Sequence, residues 1–169
     1  MRRAILIGVL SIAILIAVVV LAGLTIPKGH RASRTTTLAA PPETVFSTVS
    51  DFNRYPEWRS DVKSVVVEGQ GGIGTVVHEH GPHGPIPFRV ETHEAPSRLV
   101  MRIADPSLPF AGTWTYELRP SGSGTELTLT EDGEVSNPIF RVMQKLFFSP
   151  YDTIDTYLAD LQKRMTSRQ

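Results

Sequence analysis

No cysteine occurs in the 169 residues. That alone excludes disulfides, thiolate metal sites and cysteine nucleophiles, while either redox compartment stays open. A block of like charge is also missing. Lys and Arg number 17, as do Asp and Glu. Three of the basic residues (Arg2, Arg3 and Lys28) precede residue 31, a stretch with no acid, so 14 basic groups face 17 acidic ones beyond it. A mildly acidic body without a basic tract argues against a nucleic-acid partner. No phosphate-cradling glycine motif is present. Gly69-Gln70-Gly71-Gly72 leads into a predicted strand, not into the helix N-terminus that such a motif requires.

One apolar run stands out. Residues 4–26 (AILIGVLSIAILIAVVVLAGLTI) carry no charge. At ~1.5 Å rise per residue a helix over them reaches ~35 Å, enough to cross a ~30 Å hydrocarbon core. A secretory signal has a shorter apolar core of ~7–15 residues. Residues 1–30 therefore read as an N-terminal transmembrane anchor and linker. Cleavage near Val20-Leu21-Ala22 is the alternative, because Ala22 is small. Arg2 and Arg3 lie on one flank and Lys28, Arg31 and Arg34 on the other, so the positive-inside rule separates the two orientations weakly. Basic residues at the very start favour an extracytoplasmic body.

Residues 31–169 read as one α+β domain. Arg34-Thr35-Thr36-Thr37-Leu38 is a β-branched first strand. Pro41-Pro42-Glu43 opens a short helix with Val45, Phe46 and Val49 on one face. Strands are expected over residues 62–68, 74–80, 86–93 and 98–104, then a hairpin of residues 113–119 and 125–135, all in an antiparallel meander. Asn137-Pro138 starts a C-terminal helix, and Ser149-Pro150-Tyr151-Asp152 breaks it. Beyond the break Tyr151, Ile154, Leu158, Leu161 and Met165 form a core-facing stripe.

This order resembles the SRPBCC superfamily, the START-like or helix-grip proteins, which include polyketide cyclases/dehydrases, lipid-transfer START domains and the birch-pollen allergen group. The resemblance is carried most specifically by LAAPPETVFSTVSDFNRYPEWRSDVKSV, residues 38–65. GTWTYELRP and TELTLTEDGEV, which look like adjacent late strands of that family, add to it. It implies a curved antiparallel sheet wrapped around a long C-terminal helix, with a cavity between them. It carries over no catalytic residue set, since fold analogy alone does not fix an activity.

Strand alternation assigns the faces. Phe88 and Val90 point inward, because Arg89, Glu91 and His93 share the other face. Glu79 points outward with Thr75 and Val77, so Val76, His78 and His80 point inward. Leu99, Met101 and Ile103 point inward, as do Trp114, Tyr116 and Leu118. Setting Leu118 opposite Leu127 puts Trp114 opposite Glu131 and brings that carboxylate inward, unless a bulge at Asp132-Gly133 turns it out. The expected ligand-binding residues are His78, His80, Phe88, Val90, Met101, Trp114, Tyr116, Glu131 and Ile154, with Phe147 as a further helix residue: apolar walls with sparse polar anchors.

Three of the five histidines sit in His78-Glu79-His80-Gly81-Pro82-His83-Gly84. Two histidines on one strand face need a third zinc ligand. His93 lies five residues beyond Phe88 and faces outward, and His83 occupies a hairpin tip that belongs to solvent. No metal and no cofactor is implied. Three functional readings remain. The first is a membrane-anchored module binding a hydrophobic small molecule or lipid. The second is a cyclase/dehydratase-like enzyme using His78, His80 and Glu131 as acid–base groups. The third is a membrane-tethered interaction domain without catalysis.

Overall fold

A computed structural model of the chain describes residues 2–82, 84–147 and 149–167. The elements in order are α1 (Arg2–Thr25), β1 (Gly29–Leu38), α2 (Pro42–Ser50), a 3₁₀ turn (Phe52–Arg54), α3 (Tyr55–Trp58), β2 (Ser64–Glu68), β3 (Val76–Gly81), β4 (Gly84–Glu94), β5 (Arg98–Ile103), β6 (Phe110–Ser121), β7 (Gly124–Val135), α4 (Pro138–Phe147) and α5 (Asp152–Thr166). The seven strands form one antiparallel sheet in the order β1-β7-β6-β5-β4-β3-β2. This is the α+β helix-grip architecture, preceded by one apolar helix.

Local chemistry explains the joints. Pro42 sits in the first turn of α2, where its missing N–H is no loss, and Glu43 faces the positive end of the helix dipole. Val45, Phe46 and Val49 of that helix are buried. α5 buries Ile154, Tyr157, Leu158, Leu161 and Met165 against the inner face of the sheet. Residues 149–151 separate α4 from α5, at the expected break. β1 starts at Gly29, five residues before the predicted strand, because its pairing with β7 extends back to Gly29 opposite Glu134.

The antiparallel register sorts the two ends of the sheet. Gly29 of β1 pairs with Glu134, Phe110 of β6 with Val135, Phe88 of β4 with Ile103, Gly81 with Gly84, and Ser64 of β2 with His80. The starts of β1, β2, β4 and β6 and the ends of β3, β5 and β7 therefore lie at one edge. α1 leaves the domain at that edge and α4 enters from it. Within α1, residues Ile5–Thr25 have a mean hydropathy of 3.3 and are long and apolar enough to cross a membrane.

The interior is organised around a buried cation. Arg59 is only 7% exposed. Its Nη1 donates to Glu79 Oε1 at 2.9 Å, while Nε and Nη2 donate to the two oxygens of Asp61 at 3.1 and 2.7 Å. The guanidinium lies 4.9 Å from the ring centre of Tyr55 and 5.0 Å from that of Tyr157, within cation–π range. This arrangement corrects the facing of β3. Glu79 is 9% exposed and points inward with fully buried Val77, so His78 and His80 lie on the outer face. The expectation failed because a buried carboxylate is costly only when unpaired, and Arg59 pairs it from twenty residues upstream. His78 instead sits 3.3 Å from Glu68 across the outer face.

A second correction concerns His93. The register shifts between Val90 and Thr92, which resets the alternation and sets His93 opposite buried Leu99. Its ring packs edge-on against Phe46 at 5.0 Å, on the inner face, not the outer. His83 falls outside the described residues.

Removing one member of a buried pair leaves the other charge unpaired. Arg59→Ala strands two carboxylates and should cost ~3–5 kcal/mol of unfolding free energy. Glu79→Ala should cost less, since Asp61 still holds the guanidinium. His78→Ala should stay within ~0.5 kcal/mol. Denaturant titration of the detergent-solubilised chain ranks the three, and a His78 effect equal to that of Arg59 contradicts the assignment of faces.

Candidate ligand-binding site

Two cross-strand pairs divide the space between sheet and helices. Phe88 faces Ile103 across β4 and β5, and Trp114 faces Glu131 across β6 and β7. On one side lies an inner pocket of about 90 Å³, bounded by Phe88, Met101, Trp114 and Tyr116 together with Arg59, Glu79 and Thr153. It shares Asp61, Glu79, Ile86 and Thr153 with a wider recess of about 360 Å³ at the β3–β4 tip. On the other side lies a pocket of about 220 Å³ between β5, β6, β7 and α4. Ile103, Phe110, Val135, Phe140 and Met143 give it apolar walls, and His30 and Glu131 are among its polar groups.

The interior beside α5 is small because aromatic rings fill it. Tyr55, Tyr116 and Tyr157 are almost completely buried. Tyr157 makes edge contacts with Trp58, Trp114 and Tyr116 at ring-centre distances of 5.3–5.9 Å. Burial pushes all three tyrosine phenols well above their ordinary pKa.

The pocket under α4 differs in its polar groups. Glu131 and His30 are half-buried and stand 3.6 Å apart (Oε1 to Nε2). Burial raises the Glu131 carboxyl above the usual carboxylate range, and the neighbouring His30 pulls the other way. At the tip recess the carboxylates of Asp61 and Glu79 are already engaged by Arg59. Burial raises Glu79 also, with Arg59 opposing.

The residues expected from sequence to bind ligand therefore separate. Phe88, Met101, Trp114 and Tyr116 come together around the inner pocket. Val90 and Ile154 are packed into the core and border neither that pocket nor the one under α4. Glu131 lies under α4, and its strand runs without a bulge: Asp132 pairs with Thr113 and Gly133 with Gly112. His78 and His80 lie on the outer face, which removes them as interior acid–base groups. Phe147 is 66% exposed on α4 and lines no interior wall. Among the described residues, no three His, Asp or Glu side chains gather as a metal site.

His30 was missed because it reads as linker. Its pairing with Gly133 was the available signal. A side chain at Gly133 would collide with the His30 imidazole, so glycine there leaves the space that the ring occupies.

A two-layer fold with helices gripping one face of a curved antiparallel sheet, and pockets between them, defines the START/Bet v 1-like class. The model of the family "Polyketide cyclase / dehydrase and lipid transport" matches residues 29–165, and the chain belongs to that family, within the SRPBCC superfamily. Solved structures agree on the fold. A START superfamily protein from Mycobacterium smegmatis is similar with TM-score 0.66 at 19% identity, covering 83% of this chain and 99% of that one. Norcoclaurine synthase from Thalictrum flavum in complex with dopamine and hydroxybenzaldehyde gives 0.66 at 11% identity, covering 88% and 92%. The major latex-like protein 151 from Panax ginseng gives 0.66 at 12%, covering 82% and 98%. At these identities the likeness shows the fold alone. No curated protein matches the sequence.

The raised Glu131 carboxyl has a thermodynamic consequence. A group whose pKa is higher folded than unfolded adds stability at low pH and loses it as pH rises through the folded value. Unfolding free energy should therefore fall as pH climbs from the ordinary carboxylate range to just above it. Glu131→Gln should reduce that slope without abolishing it, since Glu79 contributes with the same sign. Equal slopes in the two proteins, measured by denaturation across that window, contradict a shifted Glu131.

Proposed function

We propose that the chain is a membrane-anchored module that holds a hydrophobic small molecule or lipid in the pocket under α4. The observation that carries this reading is one of placement. The apolar pocket lies at the edge of the sheet from which α1 departs, so an apolar ligand can pass between bilayer and pocket with little exposure to water. At about 220 Å³ the pocket is smaller than the ~300–1,000 Å³ typical of drug-sized ligands. It therefore suits a compact molecule, or the leading end of a longer one whose tail runs outward along α4. Glu131 and His30 supply the polar contact. A protonated Glu131 donates to a ligand carbonyl or hydroxyl, and an ionised one accepts from a hydroxyl.

Retention of α1 as an uncleaved anchor fits the packing. α4 packs against α1, whose apolar span Ile5–Thr25 is long enough to cross a membrane; the Gly23 and Arg141 contacts lie beyond Ala22 and would survive cleavage there. Membership of a family described by lipid transport as well as cyclase chemistry supports the class of ligand. The enzymatic reading loses two of its three acid–base groups, since His78 and His80 lie on the outer face, and keeps Glu131.

The test is native mass spectrometry of the full chain extracted from membranes. A reproducible adduct of lipid-like mass is expected. Ile103→Trp, which fills the pocket from its wall, should lose that adduct while keeping its far-ultraviolet dichroism. An empty wild-type chain that also takes up no added fatty acid or isoprenoid alcohol counts against the reading, as does an adduct undiminished in a folded Ile103→Trp.

A further inference from the structure

α4 carries an apolar face that the domain does not cover. Ile139, Phe140, Met143, Leu146 and Phe147 are between 42% and 67% exposed. Their spacing of three and four residues places them along one side of the helix. A five-residue apolar stripe left open to water marks an interaction surface.

The position of α4 says what covers it. α4 packs against α1, and the approach is close. A Cβ on Gly23 would collide with the backbone carbonyl of Pro138, so glycine is required for the two backbones to meet. Gly23 lies inside the apolar span Ile5–Thr25. Arg141, 5% exposed, donates from Nη1 to the carbonyl of Ile26 at 2.8 Å and from Nη2 to that of Ser136 at 3.2 Å. The first bond places a cation at the negative end of α1, the favourable end of its dipole. The two contacts hold the start of α4 against the C-terminal end of α1. Exposed Lys28 and Lys145 line one cleft beside that end, a placement that would set ammonium groups against anionic headgroups if α1 spans a bilayer.

We infer that α4 is an in-plane membrane helix, its Ile139-Phe140-Met143-Leu146-Phe147 face sunk in the lipid interface beside α1. Phe140 and Met143 also line the pocket, so the same helix forms the pocket wall on the bilayer side. This inference rests on the anchoring part of the proposed function and not on ligand binding.

The absence of cysteine makes the test clean. Single cysteines at Leu146 and Phe147, at Ile14 within α1, and at Glu94 at the opposite edge of the sheet are spin-labelled in the full chain, reconstituted in vesicles of mixed zwitterionic and anionic phospholipid. Collision rates with oxygen and with a water-soluble nickel complex report depth. The expected result is oxygen preference, by several-fold over nickel, at residues 14, 146 and 147, and nickel preference at 94. Gly23→Val should return the label at 146 towards water and leave the label at 14 deep. Nickel preference at 146 and 147 with residue 14 deep overturns the inference and leaves the anchor intact. Nickel preference at all four positions removes the anchor as well. Labels at 146 and 147 shielded from both reagents and broadened by one another point to a second copy on this face, which also overturns the inference, as does an unchanged label at 146 in Gly23→Val.

Discussion

Arg59 is the constraint from which the interior follows. A guanidinium taken out of water is tolerated only where its donors are used, and here Asp61, Glu79 and two tyrosine faces use them. Satisfying it draws Glu79 to the inner face of β3, and alternation then carries His78 and His80 to the outer one. It also brings Tyr55 and Tyr157 together over the middle of the sheet, where they occupy space that a ligand would otherwise take. Beyond the small inner pocket beside Trp114 and Tyr116, the larger volumes under the helices lie towards the end of the sheet, in the recess at the β3–β4 tip and in the pocket under α4.

That end is where the other functional features converge. α1 leaves the domain there, α4 packs on it there, and His30 meets Glu131 there. Gly133 and Gly23 serve the same end by different means. The first yields room for an imidazole and the second lets two helices touch. On the proposed reading of α1 as an anchor, a domain built this way keeps its pocket close to the bilayer without a separate loop to guide it. The sparse polarity of the pocket then favours a ligand with one polar group and an apolar remainder.

Much of this was legible in the chain, and the reasons differ by element. The β6–β7 register follows from Trp114, Tyr116 and Leu118 alternating against Leu127 and Leu129, which fixes the parity of the pairing, and from the tight turn closed by Ser121 and Gly124, which fixes the register. The helix break at Ser149-Pro150 and the start of α2 at Pro42 are local signals and read directly. β3 was misread because its decisive partner, Arg59, lies outside any strand, and an ion pair across twenty residues leaves no periodic trace. His93 was misread because the shift after Val90 adds one residue to β4 without a glycine or proline to announce it. His30 and the outward stripe of α4 escaped notice for a third reason. Each acquires its role from α1 and β7 together, a juxtaposition that no single segment encodes.

The central claim is that the bound molecule sits under α4, between β5, β6 and β7. Photocrosslinking with a diazirine-bearing fatty acid, applied to the full chain in vesicles and mapped by peptide mass spectrometry, tests it most directly. Adducts on Ile103, Phe110 and Val135, which wall that pocket, are the result this account predicts. Adducts confined to α1 and the outer side of α4, or to Val62, Pro82 and Ile86 at the β3–β4 tip, would contradict it.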